Sequence, residues 1–223
     1  MAPEPDTLLV IDTATEACSV ALFAGAVLVA SEYAVMGRGH AERLVPMIAR
    51  LPGKGRAAAI LVNCGPGSFT GVRVGLAAAR ALALAWNAQV GGYSTHHLIA
   101  AMALDAARGA APEPSGVDVV MTGGHGEYFV QSFDASGRAT GPLASLAPDA
   151  AAAVCAHKHV AGSMAEALVA ARGSGLAMAL LPDARAAALL EPAARALPAD
   201  PVYGRGADAK PMAAPLPEAI VPG

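Results

Sequence analysis

Thr7-Leu-Leu-Val-Ile-Asp-Thr-Ala-Thr-Glu-Ala-Cys-Ser-Val-Ala-Leu-Phe23 is the stretch whose reading decides the fold. Its first six residues, Thr7 to Asp12, are β-branched or apolar up to the aspartate and read as a buried strand. Cys18 to Phe23 reads as a second strand, and Val27 to Val35 as a third beyond the turn chemistry of Ala24-Gly25. A helix is expected from His40 to Leu51, because Leu44, Met47, Ile48 and Leu51 fall at i, i+3, i+4 and i+7. Pro46 inside it predicts a kink. A fourth strand over 58–63 then runs through the glycine-rich turn Gly65 to Gly71 into a long helix over 69–86, with a further helix over 95–108.

Gly109-Ala-Ala-Pro-Glu-Pro-Ser-Gly116 breaks every periodicity and reads as a linker. Beyond it the order recurs. Strands are expected over 117–122 and 127–133, with a weaker third over 138–145. A helix over 149–157, a short strand over 159–162 and helical segments over 164–172 and 184–197 complete the half. Two α/β domains with mixed sheets and crossover helices follow from this repeated order. The expected limits are 1–108 and 117–210, joined by 109–116, with a loosely held Pro- and Ala-rich tail at 211–223.

Composition excludes several classes of function. The 223 residues are 55% hydrophobic but only 4% aromatic, so the positive mean hydropathy reflects alanine rather than a membrane span. The longest apolar run, Leu76 to Trp86, is interrupted by Arg80 and falls short of a bilayer's width. The N-terminus lacks the basic region of a secretory signal, so a cytoplasmic location is expected. With a net charge of −3 and no Lys/Arg cluster, the chain would grip nucleic acid only through another subunit. Cys18, Cys64 and Cys155 have no CxxC spacing and read as buried thiols.

Three segments could carry chemistry. Gly65-Pro-Gly-Ser-Phe-Thr-Gly-Val-Arg-Val-Gly75 fails the Walker A, dinucleotide and nucleophile-elbow patterns. Two readings of it stand: a tight turn with Ser68 or Thr70 capping the helix, or an anion cradle at the helix N-terminus. Asp12, Thr13 and Thr15, with Gly65, Gly67 and Ser68, form the candidate set for a vestigial phosphate site, although acidic and hydroxyl residues also favour such turns by themselves. In the long helix Gly71, Gly75, Ala79 and Ala83 recur every four residues, a stripe that lets another helix or the chain's own sheet approach closely. His96-His97 and His157/His159 lack the i, i+4 spacing that aims two imidazoles at one metal. No catalytic residue and no metal ligand are assigned.

Taken together, Leu9 to Leu22, His40-Ala-Glu-Arg-Leu-Val-Pro-Met-Ile48 and Gly65 to Gly75 resemble the TsaB (YeaZ) family, with weaker echoes at 126–130, Asp200-Pro-Val-Tyr-Gly-Arg205 and Ala209-Lys210. The resemblance implies two tandem actin/Hsp70-like (RNase H-like, ASKHA) domains. It also implies a non-catalytic subunit that supports a TsaD-like enzyme in threonylcarbamoylation of adenosine 37 of tRNAs reading codons that begin with A, together with a TsaE-like ATPase. By the same analogy His40, Leu44, Met47 and Ile48 of the first helix, with Phe69, Gly71, Val72, Gly75, Ala79 and Ala83 of the second, would form a helix bundle with the TsaD-like partner or in a homodimer. No tightly bound cofactor is implied, and a nucleotide would sit at a subunit junction. The chain departs from many relatives in having Thr122 and Gly124 where they carry Asp and Arg. The alternative is a small ATP-binding ATPase or kinase using Asp12 and the Gly65–Gly71 turn.

Overall fold

The structure is a computed structural model that describes residues 6–109 and 113–204. The expected tail at 211–223 and the Ala209-Lys210 echo lie outside the described residues. The first sheet contains β1 (Thr7–Asp12), β2 (Ala17–Ala24), β3 (Val27–Val35), β4 (Ala59–Asn63) and β5 (Gln89–Tyr93), in the order β3-β2-β1-β4-β5. The meander β1 to β3 is antiparallel, while β4 and β5 run parallel to β1. The second sheet contains β6 (Gly116–Thr122), β7 (Tyr128–Asp134), β8 (Ala144–Leu146), β9 (His159–Ala161) and β10 (Leu176–Met178), in the order β10-β9-β6-β7-β8. Each sheet is mixed, as the repeated order predicts.

Helices α1 (His40–Arg50) and α2 (Phe69–Trp86) cover one face of the first sheet, burying Leu44, Met47, Ile48, Val72, Leu76 and Ala79 against Leu9, Ile11, Val20 and Val62. The other face meets α3 (Thr95–Ala106) through Leu98, and α3 turns Ile99, Ala100 and Ala103 to the second sheet. Helices α4 (Pro148–Val154) and α5 (Ala165–Arg172) close the far face of that sheet. The layers therefore run helix, sheet, helix, sheet, helix. Burial of apolar area in these layers is the main stabilising term.

Helix α1 runs from His40 through Pro46, as expected, with Leu44, Met47 and Ile48 held in the core around the proline. Other expectations are corrected. β5 and β10 were not expected as strands. The helix expected over 184–197 is two 3-10 turns, Ala184–Leu189 and Pro192–Arg195, since Pro192 cannot donate to a continuing helix. These turns do not stay with the second sheet. Ala184, Ala187 and Leu190 pack on Val10, Ala21 and Phe23 of the first sheet, and Val202 donates its N–H to the Cys64 carbonyl at 2.7 Å. The expected unit 117–210 thus gives its last described part to the first sheet. Among the described residues, α2 is long and apolar enough to cross a membrane by length and composition, although no such segment was expected. Its inward face is sealed on the sheet, and Arg73 and Arg80 are tied to Tyr203 and Asp200.

Candidate functional site

A cleft of about 830 Å³ lies between the two sheets. One wall is the β1–β2 turn (Ala14 to Glu16) with Gly67, Ser68 and the first turn of α2; the other is the β6–β7 turn, Thr122 to His125, with Ser163. Val202, Tyr203 and Gly204 also line it. Met121, Phe129 and Val72 make part of the lining apolar, while Glu16, Arg73 and His125 supply charge or titratable groups. Thr122 Oγ1 and Ser163 Oγ lie 3.1 Å apart, and the Thr122 N–H donates to Ser163 Oγ. Arg73 lies over the Phe69 ring, 3.3 Å from its centroid, and donates to Tyr203 Oη at 2.6 Å. This stack orders an otherwise exposed phenylalanine.

The residues expected to form a phosphate site come together, but they face one another. Asp12 is fully buried: Oδ2 accepts from Asn63 Nδ2 at 2.6 Å and Tyr93 Oη at 2.7 Å, and Oδ1 accepts from the Ala14 N–H at 3.1 Å. Burial pushes its carboxyl up to about 6, against the lowering effect of these hydrogen bonds. Thr13 Oγ1 donates to the Gly71 carbonyl at 2.7 Å, and Thr15 Oγ1 accepts from the Ala17 N–H. Gly65 has a φ of +96°, which favours glycine, and its N–H is held by Asn63 Oδ1 at 2.7 Å. The Ser68 N–H donates to the Ala14 carbonyl at 2.7 Å, while Ser68 Oγ caps α2 by accepting from the Gly71 N–H. Gly67 has no room for a side chain because the Ala14 carbonyl occupies it. The cradle is filled by the chain's own β1–β2 turn.

Nine of the ten helix residues assigned to a partner are buried within the chain. Gly71, Val72, Gly75, Ala79 and Ala83 are buried inside the protein, with Gly71 against the Thr13 carbonyl and Gly75 against Thr13 Oγ1 and Val62. The stripe of small residues brings α2 close to its own sheet. His40, Leu44, Met47 and Ile48 are buried as well, His40 Nε2 lying 3.3 Å from the Ala17 carbonyl. Of the ten, Phe69 is exposed, at 68%. The outward faces of the two helices carry Val45 and Leu84, which are 56% and 87% exposed and lie one position beyond Leu44 and Ala83. The missed polar partners of Asp12 are Asn63 and Tyr93. A polar residue closing the apolar run of β4 is the signal for Asn63; Tyr93 lies in the unrecognised β5.

Comparison with known proteins places this geometry in context. Residues 34–195 match the family model described as TsaD: tRNA N6-adenosine threonylcarbamoyltransferase. The structure of YeaZ from Pseudomonas aeruginosa superposes with a TM-score of 0.73 at 30% identity, over 89% of this chain and 100% of that one. The chain belongs to the TsaB (YeaZ) family. Among curated TsaB proteins, that of Escherichia coli (strain K12), named a tRNA threonylcarbamoyladenosine biosynthesis protein, is 40% identical over 93 residues, 40% of each chain. The TsaB of Haemophilus influenzae is 46% identical over 83 residues, 34% of each. The matches therefore span less than half the length of these curated relatives. The fold is α/β, two mixed five-stranded sheets with helices, shared with YeaZ. Among the described residues, no three of His, Cys, Asp and Glu gather into a group that could hold a metal.

Proposed function

We propose that this chain is a non-catalytic, cytoplasmic subunit in threonylcarbamoylation of adenosine 37 of tRNAs reading codons that begin with A, and that it acts by docking a TsaD-like catalytic subunit. The observation that carries the reading is the likeness to YeaZ along nearly the whole chain, joined to the printed role of the E. coli TsaB. The geometry is consistent with it. The carboxylate that a kinase or ATPase would need at the end of β1 is buried and saturated, and the neighbouring turn is filled by the Ala14 carbonyl.

The docking face of this reading is the outward side of α1 and α2, centred on Leu84 and Val45, since the inward stripe is already spent on the sheet. The TsaE-like ATPase joins through the catalytic subunit, any nucleotide sits at the junction, and tRNA is held indirectly. The two-domain division is part of the same reading, with 184–202 returned to the first unit. Purified chain alone should modify no tRNA. Adding the cognate TsaD-like, TsaE-like and adenylate-forming proteins should produce modification that disappears when this chain is left out. Full modification without it would refute the proposal.

A further inference from the structure

The last residues the structure describes, Val202 to Gly204, lead the backbone into the cleft. Val202 still belongs to the first sheet, its N–H donating to the Cys64 carbonyl at 2.7 Å, and Tyr203 is tied to Arg73 of α2. Gly204 already lies on the second sheet. A Cβ there would fall 2.4 Å from the ring of Phe129 in β7, so the main chain itself rests on that ring. Within two residues the chain steps from one wall to the other. The cleft it enters, of about 830 Å³, has the size of a ligand pocket. Its lining is chiefly apolar and gathers Phe69, Phe129 and Tyr203, in a chain that is only 4% aromatic. Phe69 and Tyr203 stand 68% and 57% exposed, with the Arg73 guanidinium against both rings. The carboxylate of the lining, Glu16, is in none of the ion pairs among the described residues.

Beyond Gly204 the sequence continues Arg205-Gly-Ala-Asp-Ala-Lys-Pro-Met-Ala-Ala-Pro-Leu-Pro217. Proline-rich segments bind aromatic-lined grooves, because the fixed φ of proline leaves little chain entropy to lose on docking. Pro211, Pro215 and Pro217 supply the rings, and Met212 and Leu216 are the large apolar side chains of the run. The stretch 205–210 carries the backbone up to about 24 Å from Gly204 to Pro211. Gly206 within it permits the reversal that lays the run back along the cleft. Arg205, adjoining Gly204, supplies the cation that Glu16 lacks. A foreign peptide of the same chemistry would compete with a tethered one, whose effective concentration is on the order of millimolar. We infer that the chain's own segment 211–217 docks in the cleft between the two sheets, its prolines against Phe69, Phe129 and Tyr203, and straps the cleft shut against other ligands. The inference does not depend on the proposed tRNA role, and it uses a different surface from the outward face of α1 and α2.

Cysteine pairs in the 223-residue chain test it. Ala214→Cys leaves Met212 and Leu216 in place, and Gly124→Cys puts a thiol on the cleft wall where a Cβ meets nothing within 4 Å. Asp200→Cys is the control, 73% exposed, close to Gly204 in sequence and outside the cleft lining. With oxidised glutathione, Ala214→Cys should close an intramolecular disulfide with Gly124→Cys at least about tenfold faster than with Asp200→Cys, read by mass spectrometry of the monomer. Cys18, Cys64 and Cys155 are buried and should not interfere. A chain cut after Lys210 should bind an apolar fluorescent dye in the opened cleft, and a peptide of residues 211–223 at millimolar concentration should displace it. Equal closure rates for the two cysteine pairs would overturn the inference. So would a disulfide that joins two molecules, or dye binding that is the same for the cut and uncut chains.

Discussion

Gly71→Ala is the sharpest test of where the small-residue stripe points. On an exposed helix, alanine for glycine would gain about 1 kcal/mol of helix propensity. Here the added methyl group would press into the Thr13 backbone carbonyl, well inside the 3.0 Å that real Cβ atoms respect, and a carbonyl in the β1–β2 turn has no rotamer by which to retreat. Overpacking of this kind costs about 1–3 kcal/mol, so a net loss of up to about 2 kcal/mol is expected after the propensity gain. For a chain of this size a loss at that upper end lowers Tm by about 4–8 °C, read by circular dichroism or calorimetry. Gly75→Ala is the control. Its methyl group would meet Thr13 Oγ1 at 2.5 Å, a side-chain atom that can rotate away by giving up its bond to the Gly71 carbonyl, worth about 1 kcal/mol. Propensity offsets that loss, and Gly75→Ala should stay within about 1 kcal/mol of the parent. A Gly71→Ala protein as stable as the parent, or less perturbed than Gly75→Ala, would refute the inward assignment of the stripe.

Other outcomes follow from the same structure. Asp12 and His96 set opposing pH dependences: burial raises Asp12 to about 6 and lowers His96 to about 4. The folded state holds the Asp12 proton more tightly, so that group adds about 3 kcal/mol of stability as pH falls from 7 to 4, while His96 removes about as much over the same range. Asp12→Asn should therefore lose about 3 kcal/mol more than the parent between pH 7 and pH 4 in urea titrations; parallel pH profiles would count against this balance. Ser68→Ala removes the cap of α2 and should cost about 1 kcal/mol in the same titrations, with no loss pointing to water replacing the hydroxyl. Leu84→Glu, on an 87% exposed side chain, should leave Tm within about 1 °C yet abolish binding to the TsaD-like subunit in calorimetry; unchanged binding would remove Leu84 from the docking face. The thiols of Cys18, Cys64 and Cys155, pushed by burial to about 11, 11 and 12, should react with a thiol reagent at pH 8 only as fast as the protein unfolds, and rapid labelling of the folded chain would contradict their burial.

The limits of β1, β3 and α2 were legible because each combines a strong period with a clear end, such as Asp12 closing β1 and Ser68 opening α2. β5 was not, since Gln-Val-Gly-Gly-Tyr carries the residues that ordinarily weaken a strand. Gly92 is required there because Cys64 and Pro198 fill the place of a side chain, a long-range demand that no local pattern displays. The small-residue stripe was legible as a device for close approach, but its direction depends on what lies across it, and both a partner helix and the Thr13 carbonyl satisfy the same spacing. The Asp12 network escaped for a related reason. Its members Asn63 and Tyr93 stand 51 and 81 positions from the carboxylate and meet only once the parallel strands align. The cleft likewise draws its walls from turns of both sheets.

The return of residues 197–202 to the outer side of β5 bears on how this protein can be dissected. Leu197 pairs with Gly92, Val202 with Cys64, and Asp200 with Arg80 of α2. Cutting the gene at the Pro-rich joint after α3 would strip that belt from the leading fragment and leave a raw strand flank prone to clumping. The halves are thus laced together by their ends, and a split version would regain solubility only if the trailing fragment were supplied alongside.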